Sequence, residues 1–119
     1  NLWKALENGV SNWPGDGRFP QISGFKFSFD TTKPVGSRVQ SVTKADGTAI
    51  AKDSKEYTIA VPDFMIYGGD GYVGVFTPSK AKLRGLLVDV FIEAVQEASA
   101  GGKAIQIPAL DGRITKVNP

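Results

Sequence analysis

Hydrophobic and polar positions along this 119-residue chain change their period several times, and the changes mark its elements. Leu2, Leu6 and Val10 recur at four-residue spacing with Trp3 beside Leu2, which predicts an amphipathic helix with Asn1 as a candidate cap. The breakers of "SNWPGDG" end it. "QISGFKFSFD", Gln21 to Asp30, alternates strictly: Phe25, Phe27 and Phe29 share one face and Gly24, Lys26 and Ser28 the other, as in a half-buried strand. Lys33, Pro34, Val35 and Gly36 turn into a second strand, "SRVQSVTKADG", whose closing Asp46-Gly47 suits a hairpin turn. "EYTIAV" puts Tyr57, Ile59 and Val61 on one face of a third strand, which Pro62 halts because it has no amide hydrogen to donate.

The period then lengthens. Thr77 and Pro78 fit a cap and first helical position, and Leu83, Leu86, Leu87, Val90, Phe91, Ala94, Val95 and Ala98 recur as one face of a helix. A long C-terminal core helix is expected, ended by the left-handed geometry open to Gly101 and Gly102. "AIQI" and "GRITKV" read as two short closing strands. With no repeat, linker or low-complexity segment, residues 1–119 are expected to form a single α+β domain, a mixed or antiparallel sheet layered with helices.

Composition narrows the chemistry. The chain has no Cys, which removes disulfides, thiolate nucleophiles and thiolate zinc sites, and no His, which removes the commonest general base and transition-metal ligand. No catalytic residue and no metal ligand set is expected within it. A formal charge of +2, with the basic residues scattered, lacks the footprint of a nucleic-acid binder. No apolar run approaches the roughly 20 residues of a membrane span.

"PDFMIYGGDGY", Pro62 to Tyr72, is the stretch with candidate chemistry. Asp63 can cap a short helical turn that Gly68 ends, with Phe64 and Tyr67 simply entering the core. Alternatively, Gly68 and Gly69 let the backbone approach a ligand, Phe64 offers a flat apolar face, and Asp70 accepts two hydrogen bonds from neighbouring hydroxyls. A nucleoside has the matching parts, a base to stack and a vicinal diol. "GGDG" lacks the surroundings of a dinucleotide loop and the Lys and Ser or Thr of a phosphate loop. Asp63 and Asp70 alone fall far short of a calcium shell. Arg18 is expected to pair with a nearby acid or cover Phe19, and Trp3 and Trp13 to pack against their own domain.

"LWKALENGVS", "GRFPQISGFKFSFD", "KPVGSRVQSV", "YTIAVPDFMIYGGDGY" and "DGRI" occur in the order seen in the C-terminal domain of the 5′-nucleotidase family, and the chain resembles that domain along nearly its whole length. The family includes 5′-nucleotidases, UDP-sugar hydrolases and 2′,3′-cyclic phosphodiesterases. The resemblance implies a two-domain hydrolase in which an N-terminal metallophosphoesterase domain holds two divalent metal ions and the C-terminal domain grips base and ribose. It implies that Phe64 stacks on the base and Asp70 binds the ribose hydroxyls, with Gly68 and Gly69 shaping the loop. Asp63 stands where relatives commonly have Asn, which bears on contacts to the base edge. The chain is expected to be the later part of such a domain, with a nucleoside or nucleotide and the N-terminal catalytic domain as partners. The family's second stacking aromatic and its phosphate-side arginines belong upstream of the "ALENGVS" helix. An extracytoplasmic location is implied by the same resemblance. The alternative expectation is a non-catalytic domain that keeps the fold and binds a nucleoside or a protein.

Overall fold

A computed structural model describes residues 2–118, so the proposed cap Asn1 lies outside the described residues. The predicted first helix is α1, Leu2–Gly9. The Phe-rich alternation is β1, Phe25–Phe29, and its neighbour is β2, Val39–Lys44. They pair antiparallel, with Phe27 opposite Val42, and the register slips between Ser28 and Phe29. A third strand, β3, Ile114–Lys116, joins the other edge of β1 in parallel, giving a mixed sheet in the order β2-β1-β3. Phe27 and Phe29 are buried while Lys26 is exposed, as the period of two requires.

α1 lies on this sheet because its apolar stripe has nowhere else to hide. Leu6 and Val10 are buried with Phe27, Phe29, Val39, Val42 and Ile50, and Leu2, Trp3, Trp13, Phe19 and Ile114 pack around them. Polar bonds fix the crossing. The buried Glu7 carboxylate accepts the backbone N–H groups of Arg38, at 3.0 Å, and Val39, at 2.9 Å, where β2 begins. Arg38 answers by donating Nη1 to the carbonyls of Val10 and Ser11, just past the end of α1, at 2.7 and 2.8 Å. Trp3 Nε1 donates to the Ile50 carbonyl at 2.9 Å, so its indole is packed in its own domain as expected.

Several predicted elements differ. Asp46-Gly47 does turn the chain, with Gly47 at φ 87°, and Ile50 N–H donates to the Val42 carbonyl at 2.8 Å. Beyond that, Tyr57 to Val61 is not a strand, and neither is "AIQI". Alternation only makes a segment competent to pair, and no described strand lies alongside either stretch to supply hydrogen bonds.

The long core helix is corrected most. Pro78 opens only a 3₁₀ turn, Pro78–Lys80, with no side-chain cap from Thr77, and the helix proper is α3, Leu87–Ala98. Gly85 interrupts the apolar period at a cost of about 1 kcal/mol. Lys80, Lys82 and Arg84 would also have loaded the first turns of the longer helix with charge opposed to its dipole. None of the residues of α3 is buried, so it is not a core helix in this chain. Gly101 and Gly102, at φ 73° and 75°, follow its end as predicted.

Candidate functional site

The loop after Pro62 folds as two short turns braced by α1. The first is α2, Asp63–Ile66, which begins at Asp63 itself rather than after it, with Pro62 as its flanking residue. Asp63 is therefore not the cap expected of it: Pro62 holds that position with no side-chain cap, and Asp63 Oδ1 instead accepts the N–H of the next residue, Phe64, at 2.8 Å. Gly68, at φ 96°, reverses the chain, and the second turn, Gly69–Gly71, follows at once. Met65 points inward, against a small core of Ala5, Tyr72 and Val75.

Phe64 and Tyr67 do not enter the core; they are 59% and 77% exposed. Phe64 is nevertheless seated. A Cβ on Gly69 would lie 2.5 Å or less from three atoms of the Phe64 ring, so ring and glycine backbone are in contact and any larger residue at 69 would push the ring off its seat. One face of the ring lies over the Gly69 backbone while the side chain as a whole stays largely exposed, so the ring is backed by the loop and open to a planar ligand from outside.

Asp70 follows Gly69 directly and is exposed. It is the one non-glycine residue among those described with a positive φ, 52°, with ψ 32°. Asp tolerates this left-handed region better than most residues, though a side chain there still costs free energy. Its carbonyl accepts Asn8 Nδ2 at 3.0 Å, whereas no hydrogen bond or ion pair engages its carboxylate among the described residues. The carboxylate is available to a ligand. One turn up α1, Lys4 Nζ donates to the Gly74 carbonyl at 3.3 Å. The buried Tyr72 donates its hydroxyl to the Arg18 carbonyl at 2.8 Å, and burial is the main cause that pushes its phenol above the ordinary range.

The structure thus brings Asp63, Phe64, Gly68, Gly69 and Asp70 into one loop, with Phe64 on Gly69 and Asp63 on the Phe64 amide. An open groove of about 360 Å³ runs beside it between α1 and the Val35-Gly36 turn, lined by Lys4, Glu7, Asn8, Ser11, Gly71 and Val75 among others, but not by Phe64. Arg18 is paired with Asp16 at 3.0 Å, and Trp13 packs against Phe19 and Phe29, as expected of both. The residue that sequence reasoning missed is Asn8. Its only signal was a place four residues after Lys4, off the apolar stripe of α1, and nothing in the pattern says what that face meets.

No group of three or more Asp or Glu that could hold a metal ion occurs among the described residues. With no His or Cys in the sequence, this chain's own residues do not fit a two-metal centre. Among the described residues no helix is long and apolar enough to cross a membrane.

Comparison with known proteins agrees with this architecture. The family profile described as "5′-nucleotidase, C-terminal domain" matches residues 1–77. A curated relative from Lutzomyia longipalpis, Protein 5NUC, is 38% identical over 123 residues, covering 96% of this chain and 21% of its own. Cell wall protein Lmo0130 of Listeria monocytogenes is 36% identical over 92 residues, 73% of this chain and 11% of its own. The crystal structure of the 5′-nucleotidase precursor from Thermus thermophilus superposes with a TM-score of 0.76 at 32% identity, over 99% of this chain and 23% of that one. The chain therefore spans about a quarter or less of each of these proteins. Its residues, its mixed sheet and these matches together make it a member of the 5′-nucleotidase family, corresponding to the family's C-terminal domain.

Proposed function

We propose that this chain is the nucleoside-recognition part of a metal-dependent 5′-nucleotidase that hydrolyses nucleoside 5′-monophosphates or related nucleotides. Phe64 is the stacking plate for the base and Asp70 the acceptor for the ribose hydroxyls, with Gly68, Gly69 and Asp63 shaping the loop between them. The observation that carries this reading is the seated yet exposed ring of Phe64, followed within the same loop by a carboxylate without a partner among the described residues. An aromatic ring left open to water contributes little to folding and remains free to stack on a planar ligand.

The chemistry of hydrolysis belongs to another domain. The chain corresponds to the later part of the C-terminal domain, and a metallophosphoesterase domain with two divalent ions acts on the phosphate while this part holds the nucleoside. The wide apolar exposure along α3 supports a neighbour from the same protein packing there. The same exposure is what favours the second reading, a domain that binds a protein without catalysis. An extracytoplasmic location is supported by the relative named as a cell wall protein.

Calorimetric titration of adenosine into the wild-type chain and into Phe64→Ala tests the reading. Loss of base stacking is expected to weaken binding by about 1–3 kcal/mol, roughly 5- to 150-fold, while the exposed position leaves the fold intact. Equal affinity of the two proteins, or no binding by the wild type at millimolar nucleoside, removes the proposal.

A further inference from the structure

We propose that Asn8 is a positioning residue that sets the direction of the Asp70 carboxylate, and through it the preference of the site for an intact ribose diol. The inference rests on the nucleoside-recognition reading and adds to it a residue of α1. Asn8 does not touch the carboxylate. Its Nδ2 donates to the carbonyl of Asp70 at 3.0 Å, and its Oδ1 lies so close over Gly71 that a Cβ there would come within 2.8 Å of it. The amide of Asn8 therefore holds the Asp70 carbonyl with its nitrogen while its oxygen sits beside the Cα of Gly71.

That backbone needs a hold. Asp70 is held at φ 52°, a conformation that is costly for an L-residue, less so for Asp, and from which a free loop would relax. Relaxation rotates the Cα–Cβ bond and carries the carboxylate with it. The main chain of Asn8 is itself anchored: its backbone carbonyl accepts both the N–H of Ser11, at 3.2 Å, and the Ser11 hydroxyl, at 2.7 Å. The neighbouring Ala5 packs against Tyr72 and Val75, which holds the helix against the loop. The position of the carboxylate is thus referred to α1, and through α1 to the sheet, rather than to the loop alone.

The test compares adenosine with 2′,3′-dideoxyadenosine, which keeps the base and lacks the diol. Affinities of both are measured by NMR titration for the full chain and for Asn8→Ala, Asp70→Ala and Phe64→Ala. The wild type is expected to prefer adenosine by about tenfold or more, the scale of hydrogen bonds to a charged acceptor. Asn8→Ala should lose most of that preference, approaching Asp70→Ala, while its affinity for dideoxyadenosine stays within about twofold of wild type. The Cα and Cβ shifts of Asp70 should leave their left-handed values in the same variant. Unchanged β1 amide shifts confirm that the sheet is intact; if they collapse, Asn8→Ser, whose hydroxyl is too short for the same contact, takes the place of alanine. Full diol preference in a folded Asn8 variant, alongside its loss in Asp70→Ala, overturns the role of Asn8 and leaves the nucleoside reading standing. Indifference of the wild type to the diol, or an unaltered Phe64→Ala, overturns that reading and this inference with it.

Discussion

Gly69 and Phe64 form the tightest fit in the loop, and the two respond differently to change. The φ of Gly69 is not in the positive region, so alanine introduces no backbone strain there, only a methyl group where the Phe64 ring now lies. The ring is exposed enough to move away. Gly69→Ala is expected to leave the melting temperature within a few degrees of wild type while lowering adenosine affinity by about tenfold, close to the effect of Phe64→Ala. Thermal denaturation and a binding titration on the same sample check it; unchanged affinity would mean that the seat of the ring is immaterial. Phe64 and Asp70 stood out in the sequence as candidates because aromatic, glycine and acid stand together in a short segment. Asn8 did not, because its partner lies 62 residues away and no local period encodes that meeting.

At the scale of elements, two Asp-Gly-Arg turns do the same work at opposite ends of the chain. In each, the aspartate Oδ1 accepts both the backbone N–H and Nε of the arginine two residues later, at 2.9 and 3.0 Å for Asp16 and at 3.1 and 2.9 Å for Asp111. The second turn introduces β3, since the Arg113 carbonyl accepts the N–H of Phe27 at 2.8 Å and Arg113 Nη1 donates to the Ile22 carbonyl at 3.0 Å. The Arg113 side chain is the main cause that draws the Asp111 carboxyl from 3.8 down to about 2, and the Arg18 backbone N–H is the main cause of the same fall, to about 2, at Asp16.

Both folded values lie below the unfolded one. The stability these carboxylates contribute is therefore complete above about pH 4 and is lost as the pH falls toward 2. Thermal melts between pH 5 and pH 2 should show a falling midpoint, and Asp111→Asn should flatten that slope while lowering the midpoint at neutral pH. The change is modest, because both turns meet water. A slope identical to wild type would show that the Asp111 turn is not titrating with the fold. Strands β1 and β2 were readable from alternation, which is local, whereas α3 was overextended because the apolar period continued through Gly85 while the charges around it opposed a helix start.

Taken as a whole molecule, order is unevenly distributed. Buried hydrophobic residues fall within Ala5 to Ile50 and at Tyr72 and Val75, and from residue 77 to 113 no residue is buried. An isolated helix of 12 residues is marginal in water, so α3 draws little support from the sheet. Amide exchange should separate the two parts: β1 and β2 protected by the global unfolding free energy, α3 exchanging orders of magnitude faster. Comparable protection in both would place α3 in the cooperative core. Tyr57, Ile59, Ile105 and Ile107 are likewise exposed, in two segments whose alternating pattern gives competence to pair but where no sheet forms. Pattern reports what a segment would do with a partner; only the fold says whether one is present.

α1 has a bearing on how far a distant change can be felt. One side of it lies on the sheet through Leu6 and Val10, and the other holds the carbonyls of Asp70 and Gly74. A lever of this kind transmits tilt, so a small rotation of the helix caused by a truncated Phe27 would arrive at Asp70 as a misaimed carboxylate oxygen. Variants chosen to probe only solidity would then be recorded as a changed preference for the proposed ligand.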